Sequence, residues 1–267
     1  FLRTSEFLWQ EGHTAHATKE EARERTQQML DVYTRFVEEH LAMPVIRGRK
    51  TESERFPGAD DTLCIEAMMQ DKRALQAGTS HYLGQNFAKS CNIQFQDEKG
   101  TQQFAHTTSW GVSTRLIGTL IMAHADDDGL IMPPRVATQQ IVILPITPKE
   151  DTREAVLASC QALAETLRHQ TFHGDPVRVH VDTRDLSGGV KKWDWIKKGV
   201  PIRIEIGPRD IETRKICVQR RDQPISEKDF ADKESFIQRA PEILGEIHQS
   251  LLARATAFRN ANITFCT

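Results

Sequence analysis

The 267-residue sequence predicts a mixed α/β (α+β) fold in two parts. Three observations carry this expectation. The chain opens on a strand-like alternation, a helical hydrophobic stripe follows directly, and beyond Pro133-Pro134 short β-branched runs alternate with amphipathic helices.

Taken in order, residues 1–14 alternate, so Arg3, Ser5, Phe7, Trp9, Glu11 and His13 share one face of a strand. Two aromatics, a base, an acid and an imidazole read as the lining of a site; a solvent-exposed sheet face is the alternative. Thr18 with Glu21 fits a capping box. Met29, Leu30, Tyr33, Phe36, Val37 and Leu41 then recur at helical spacing, with Pro44 just past the end. Val45-Ile46 starts an extended stretch, and the polar residues 51–61 carry a Pro57-Gly58 turn signal. Cys64 to Met69 fits a strand or a short helix equally well. Residues 76–87 are small and polar before an amphipathic turn begins. Residues 103–115 read as a strand running into a helix that continues to Ala123. Asp126-Asp127-Asp128-Gly129 is a turn, and the first domain is expected to end at residue 136.

The second part, 137–223, starts with an apolar strand from Gln140 to Pro145. Asp151 can cap a helix with Val156, Cys160, Leu163 and Leu167 on one stripe. Val177, Val179 and Val181 alternate as a half-buried strand, Lys191 to Lys198 reads as a helix stopped by Gly199, and Ile202, Ile204 and Ile206 alternate again. Lys215 to Gln219 fits a further strand. Such alternation implies crossover connections in a small α/β domain. Residues 224–235 are polar and expected as a linker, and Ile243, Leu244, Ile247, Leu251 and Phe258 mark a last helix within 224–267.

Composition excludes several classes. The 35 basic and 37 acidic side chains leave a net charge of −2, so no global field draws in nucleic acid and any RNA contact needs a local patch. No apolar run approaches a membrane span, and residues 1–20 lack a signal-peptide core. The five cysteines hold no CxxC pair, which disfavours a disulfide framework and a four-Cys zinc site and makes a reducing cytoplasm the default compartment. No Walker A, GxGxxG or HExxH pattern is present.

Three segments carry chemistry. An Arg four residues before a Phe can serve a nucleotide, the guanidinium on phosphate and the ring on a purine. The apolar wall with one acid beside it suits a small amine-bearing ligand. Gly78-Thr79-Ser80-His81 combines hydroxyls and an imidazole, against the alternative of an ordinary turn. Ser109-Trp110-Gly111 with Arg115 four residues on fits a phosphate clamp at a helix start, against a plain surface Arg. Asp126, Asp127 and Asp128 could bind a cation, although a solvated turn is favoured.

Together these segments resemble the prolyl-tRNA synthetases, class II, of the archaeal/eukaryotic-like type. Phe1 to Thr14 resembles the second half of motif 2, and Gln76 to Phe87 the family's GTSHxLGQNF segment. Ser109 to Arg115 with Gly129-Leu130-Ile131-Met132-Pro133-Pro134-Arg135 resembles motif 3. Gly199-Val200-Pro201-Ile202-Arg203 and Gly207-Pro208-Arg209-Asp210 resemble the anticodon-binding domain. The resemblance implies an antiparallel sheet flanked by helices, then an α/β anticodon-binding domain. It implies a cytoplasmic, homodimeric enzyme that joins L-proline to ATP with Mg²⁺ and transfers it to tRNA(Pro). By matching position, Arg3 and Thr4 would contact ATP and Phe7 would stack on adenine. Gln76, Thr79, Ser113 and Arg115 would bind nucleotide, with Arg3 and Arg115 catalytic. Trp9, Glu11, Phe56 and His81 would form the proline pocket, and Arg203 and Arg209 would read anticodon guanines, whose O6 and N7 match the Arg fork. No metal ligand set is assigned.

The sequence departs from the family in places. It opens on Phe1 without Met, and motif 1, the first strand of motif 2 and the C-terminal zinc-binding-like domain have no counterpart in it. A fragment is the expectation, inactive alone because the Arg that positions the α-phosphate and carboxylate belongs to the absent strand. Ile196 stands where the family commonly has an acid, and Ser187-Gly188-Gly189 replaces a Pro-Gly turn, so either anticodon reading is altered or Asp194 substitutes. A catalytically inactive paralogue that binds tRNA or nucleotide is the alternative. The threonyl type is disfavoured by the Trp9, Glu11 and His81 set and by the lack of a zinc constellation.

Overall fold

The computed structural model describes residues 5–147 and 150–264. The chain divides into two compact units, 1–123 with 256–267, and 124–255.

The first unit is built on a five-stranded antiparallel sheet of order β1-β7-β4-β3-β2. Its strands are β1 (Trp9–His16), β2 (Val45–Arg49), β3 (Asp61–Met68), β4 (Ala74–Gly84) and β7 (His106–Ser113). The segment Cys64 to Met69, ambiguous in the sequence, is thus strand up to Met68, in the inner strand β3. Residues 5–8 lie outside β1, so the alternation read over 1–14 is strand only from Trp9 onward. The Gly78–His81 segment is the middle of β4 and no turn. A small hairpin, β5 (Gln94–Gln96) and β6 (Gln102–Phe104), follows the short helix α2 (Asn86–Ser90).

One face of this sheet is covered by α1 (Lys19–Leu41), which starts in the expected capping box of Thr18 and Glu21 and ends with Ala42 in the left-handed region. Leu30, Tyr33, Val37 and Leu41 are buried against the strands. Gly78 makes that approach possible: a Cβ there would lie 3.0 Å from Val112 Cγ1 and 3.3 Å from Tyr33. The Ser80 hydroxyl, on the same face, donates to the Thr26 carbonyl at 2.8 Å. Helix and loop contacts therefore occupy the even-numbered residues of β1 and β4 and leave the odd-numbered face for other use.

The second unit has a mixed sheet of order β11-β8-β12-β13-β14. Its strands are β8 (Ile141–Pro145), β11 (Val179–Val181), β12 (Ile202–Ile206), β13 (Lys215–Arg220) and β14 (Asp229–Asp232), with β11, β8 and β12 parallel. Two two-residue strands, β9 (Thr171–Phe172) and β10 (Asp175–Pro176), pair separately. The second unit's helices are α4 (Glu150–Arg168), α5 (Gly188–Lys197), α6 (Pro208–Thr213) and α7 (Lys233–Ala261) up to residue 255; α3 (Arg115–His124) belongs to the first unit but for its last residue. Ile141, Ile143, Ile202 and Ile204 are fully buried, each worth about 1.5–3 kcal/mol relative to exposure. The predicted stripe Val156, Cys160, Leu163 and Leu167 is also fully buried.

Some element ends differ from expectation. Asp151 lies inside α4, which already begins at Glu150. Helix α5 begins at Gly188, capped by Ser187, so it starts three residues before Lys191. Residues 224–235, expected as a linker, hold the edge strand β14 and the first turn of α7. The Asp126–Gly129 turn has its three aspartates exposed, as expected, and is also anchored: Asp126 accepts both terminal nitrogens of Arg221, a residue buried to 1% side-chain exposure. These bonds, above all those from Arg221, hold the Asp126 carboxyl below the usual range.

Candidate functional site

The open face of the first sheet carries the candidate site, and strand register assembles it. Glu11 pairs with Gly111, Gly111 with Thr79, and Thr79 with Cys64. In the next row His13 pairs with Ser109, Ser109 with His81, and His81 with Thr62. Directly opposed residues in antiparallel strands share a face, so both rows point away from α1. Trp9 stands opposite Ser113 on this same face. Gln76, even-numbered, would belong to the other side. A bulge between Ile65 and Glu66 sets Gln76 opposite Glu66 instead and returns it to the face of Thr79 and His81.

The site has a polar floor and an apolar wall. Gly111 contributes no side chain to the centre of its row, which leaves that part of the floor low. Phe56, on the loop after β2, lies 5.2 Å from the His81 ring and 6.3 Å from Phe87, centroid to centroid. A cleft of about 500 Å³ opens among Phe56, Leu83, Phe87, Ile93, Glu11 and Ser109. That size and make-up, mostly apolar with few convergent polar groups, suit a small ligand. Trp9 is not among its walls; it is 62% exposed and stands edge-on to Phe7 at 6.1 Å, itself 56% exposed.

Electrostatics sharpen this picture. Glu11 lies 3.0 Å from His13. His81 Nδ1 shares a 2.9 Å hydrogen bond with the Thr62 hydroxyl. Burial, then the Lys50 charge, hold its imidazole below the usual pKa, and Glu11 opposes them. The Tyr33 hydroxyl donates to Gln10 Oε1 at 2.5 Å, and burial with the Glu11 charge pushes it up to about 12. The Cys64 thiol is pushed up, chiefly by burial. At neutral pH the face therefore holds a neutral imidazole and a neutral thiol beside the carboxylate.

The structure thus brings Trp9, Glu11, Phe56, Gln76, Thr79 and His81 to one face. Ser113 joins them at the end of β7, where its hydroxyl accepts the Arg115 backbone N–H at 3.3 Å and turns the strand into α3. Arg115 is the first residue of that helix and is half-buried. Arg3 and Thr4 lie outside the described residues. Lys50, Thr62 and Phe87 were not found in the sequence: strand pairing brings Lys50 and Thr62 to the face, and Phe87 reaches it from the short helix α2.

The second unit, taken by itself, places its two expected arginines differently. Arg209 is exposed on the first turn of α6. Arg203 corrects the expectation: it is fully buried, with one hydrogen bond, 3.3 Å to Gln219 Oε1. Its Nε and Nη1 have no partner, and burial with the adjacent Arg221 charge pushes its pKa down to about 10. The cause is strand geometry: Arg203 lies in β12, the middle of the sheet, and the guanidinium is not offered at the surface. Asp194 is ion-paired to Arg184 at 2.9 Å. Arg184 also binds the buried Asp182; burial opposes its ionisation, but bonds from Arg184 and Trp195 hold the carboxyl far below the usual range. Among the described residues no three His, Cys, Asp or Glu side chains gather as a metal site, and no helix is long and apolar enough to cross a membrane.

Comparison with known proteins adds two matches and a set of relatives. Residues 1–124 match the class II core domain of tRNA synthetases (G, H, P, S and T), and residues 140–239 match an anticodon binding domain. The chain is 62% identical over 263 residues to a proline–tRNA ligase of Akkermansia muciniphila, covering 98% of this chain and 52% of that protein. It is 59% identical to proline–tRNA ligase 2 of Anaeromyxobacter dehalogenans, covering 98% and 51%. Identity to a proline–tRNA ligase of Bdellovibrio bacteriovorus is 52%, covering 100% and 54%. The chain spans about half the length of the curated relatives it matches.

Proposed function

The chain belongs to the class II aminoacyl-tRNA synthetases, and from that premise we propose that it works in a proline–tRNA ligase. The observation that carries this reading is the single sheet face on which an apolar, one-acid cleft adjoins a row of hydrogen-bond donors.

In this reading Glu11 takes the cationic amine of proline, with Phe56 as an apolar wall and the neutral His81 against that ring; Trp9, on the same sheet face but outside the cleft, would reach the ligand only from its open side. A carboxylate beside an apolar wall suits that amine because the partner charge offsets its desolvation. Gln76, Thr79, Ser113 and Arg115 hold the nucleotide, Phe7 offers its exposed ring to adenine, and Arg115 faces the phosphates. Arg3 and Thr4 join the ATP contacts as sequence position implies. A carboxylate oxygen of proline then attacks the α-phosphorus, the bond to the β-phosphate breaks, and pyrophosphate leaves with the electron pair. The protein's share is positioning and charge stabilisation.

Mg²⁺ would enter with the phosphates, since that ion binds through one or two carboxylates and substrate oxygens. The face fits such a minimal demand. Glu66 stands opposite Gln76 on it, and no all-protein cage is assembled among the described residues. When bound, the ion would neutralise phosphate charge. The second unit would bind tRNA(Pro), with Arg209 offered to the anticodon; the buried Arg203 would act by supporting β12. Domain limits at 136 and 223, a homodimer and a cytoplasmic site are parts of the same proposal.

Proline-dependent exchange of pyrophosphate into ATP by the intact protein tests it. Exchange with proline and none with threonine or glycine is expected. Nucleotide or tRNA binding without exchange would instead favour a catalytically inactive paralogue.

A further inference from the structure

Lys50 has no role in the reading above, yet it reaches the nucleotide side of the face. It follows the last residue of β2, and its backbone N–H donates to the Thr62 carbonyl at 2.9 Å, which extends the ladder by one position. Gln76 stands opposite Glu66 and Lys50 beside Thr62, so their ladder positions straddle Cys64. The two side chains meet all the same: Lys50 Nζ donates to Gln76 Oε1 at 2.6 Å.

The chemistry of this pair is directional. An ammonium has three donors and no acceptor, whereas a carboxamide has an oxygen at one end and an NH₂ at the other. Lys50 can therefore engage only the amide oxygen. That fixes which way the Gln76 amide is turned, a matter that geometry alone leaves open. With the oxygen committed, the Nε2 hydrogens are what Gln76 offers to a ligand. A charge-assisted bond of this length also costs more to rotate out than a neutral one.

We propose that Lys50 is a positioning residue for nucleotide binding: it locks the Gln76 amide so that its N–H groups face an acceptor oxygen of the ATP. The proposal rests on the ligase reading and adds to it the sense of the Gln76 hydrogen bond. It follows that Gln76 turns N–H donors towards the ligand, which suits oxygen acceptors of phosphate or ribose. The Lys50 charge, one side chain behind the amide, reinforces that choice for an anionic ligand.

The test is steady-state pyrophosphate exchange by the intact protein, with ATP and proline varied separately. Lys50→Met should raise KM for ATP about 10–100-fold, the range expected when a hydrogen bond to a charged group is removed. The KM for proline and kcat should stay within about twofold, and Lys50→Arg, which keeps the donor and the charge, should restore most of the ATP affinity. Gln76→Glu provides a second arm that leaves Lys50 in place. The carboxylate keeps the pair with Lys50 but has no N–H to give, so KM for ATP should rise about as much as in Lys50→Met. A uniform loss across both substrates with a lowered melting temperature would mean a structural role and would overturn the proposal. So would an unchanged ATP KM in Lys50→Met, or full ATP affinity in Gln76→Glu. Absence of exchange in the unsubstituted protein would overturn the ligase reading itself and this inference with it.

Discussion

His81 shows at the residue scale how a sheet face sets chemistry. Its folded pKa is depressed, first by burial and then by Lys50, from an ordinary value near 6.5. The unfolded chain therefore binds the proton more readily than the folded one. The neutral ring's contribution to stability is fully present above 6.5 and is lost as pH falls through 6.5 towards the folded value. His81→Gln should flatten the loss of melting temperature between pH 7.5 and pH 5.5. His16 and His180, whose pKa values are also lowered by burial, account for part of what remains. An equally steep loss in the variant would show that His81 is not a source of the acid sensitivity. Glu11 gives the companion prediction on function. Glu11→Gln keeps the shape and removes the charge, and KM for proline should rise about 10–100-fold, the value of a charge-assisted bond of about 1.5–3 kcal/mol. ATP affinity should not follow. A proline KM unchanged in Glu11→Gln would take the carboxylate out of the amine site.

Elements decide which residues share the face, and here the sequence was legible only in part. The capping box at Thr18, the alternation Ile202, Ile204, Ile206 and the stripe of α4 all appear in the structure, because period and caps are local properties. Trp9 and Glu11 were visible for the same reason. Gln76 was found through its resemblance to a motif; periodicity would have put it on the wrong side, since the bulge at Ile65/Glu66 breaks the two-residue repeat. Lys50 and Thr62 had no local signal at all, being brought near His81 by pairing across three strands. Strand β14 was hidden because its bonds to β13 are made by backbone, which a polar sequence does not betray. Arg203 was misread because an anticodon motif says nothing of which strand is central. The packing of α1 offers a direct check at this scale. Gly78→Ala would bring a methyl to 3.0 Å from Val112 Cγ1 and 3.3 Å from Tyr33. Overpacking of that kind costs about 1–3 kcal/mol. Denaturant unfolding should report a lower midpoint with an unchanged slope, and a neutral result would mean that α1 can retreat without loss.

For the whole molecule, the nearly balanced charge has a functional consequence. A net of −2 over these 267 residues supplies no long-range attraction for RNA, so in the proposed reading recognition by this part of the protein falls to local cations. In the second unit Arg209, Lys197 and Lys198 are exposed, whereas the cleft, the Glu11 carboxylate and the side chains proposed to hold the nucleotide all belong to the first. On the proposed function, amino-acid activation and RNA reading would then be chemically separable. Arg209→Ala should raise KM for tRNA about 5–100-fold, as expected for a lost base contact of about 1–3 kcal/mol. Proline-dependent pyrophosphate exchange needs no tRNA and should stay within about twofold. Salt provides the second handle. Raising it from about 50 to about 200 mM should depress aminoacylation far more than exchange, because only the former gives up phosphate contacts to counterions. If Arg209→Ala slowed exchange as much as aminoacylation, the side chain would be supporting the fold or the activation step, and the separation of the two tasks between the two units would fail.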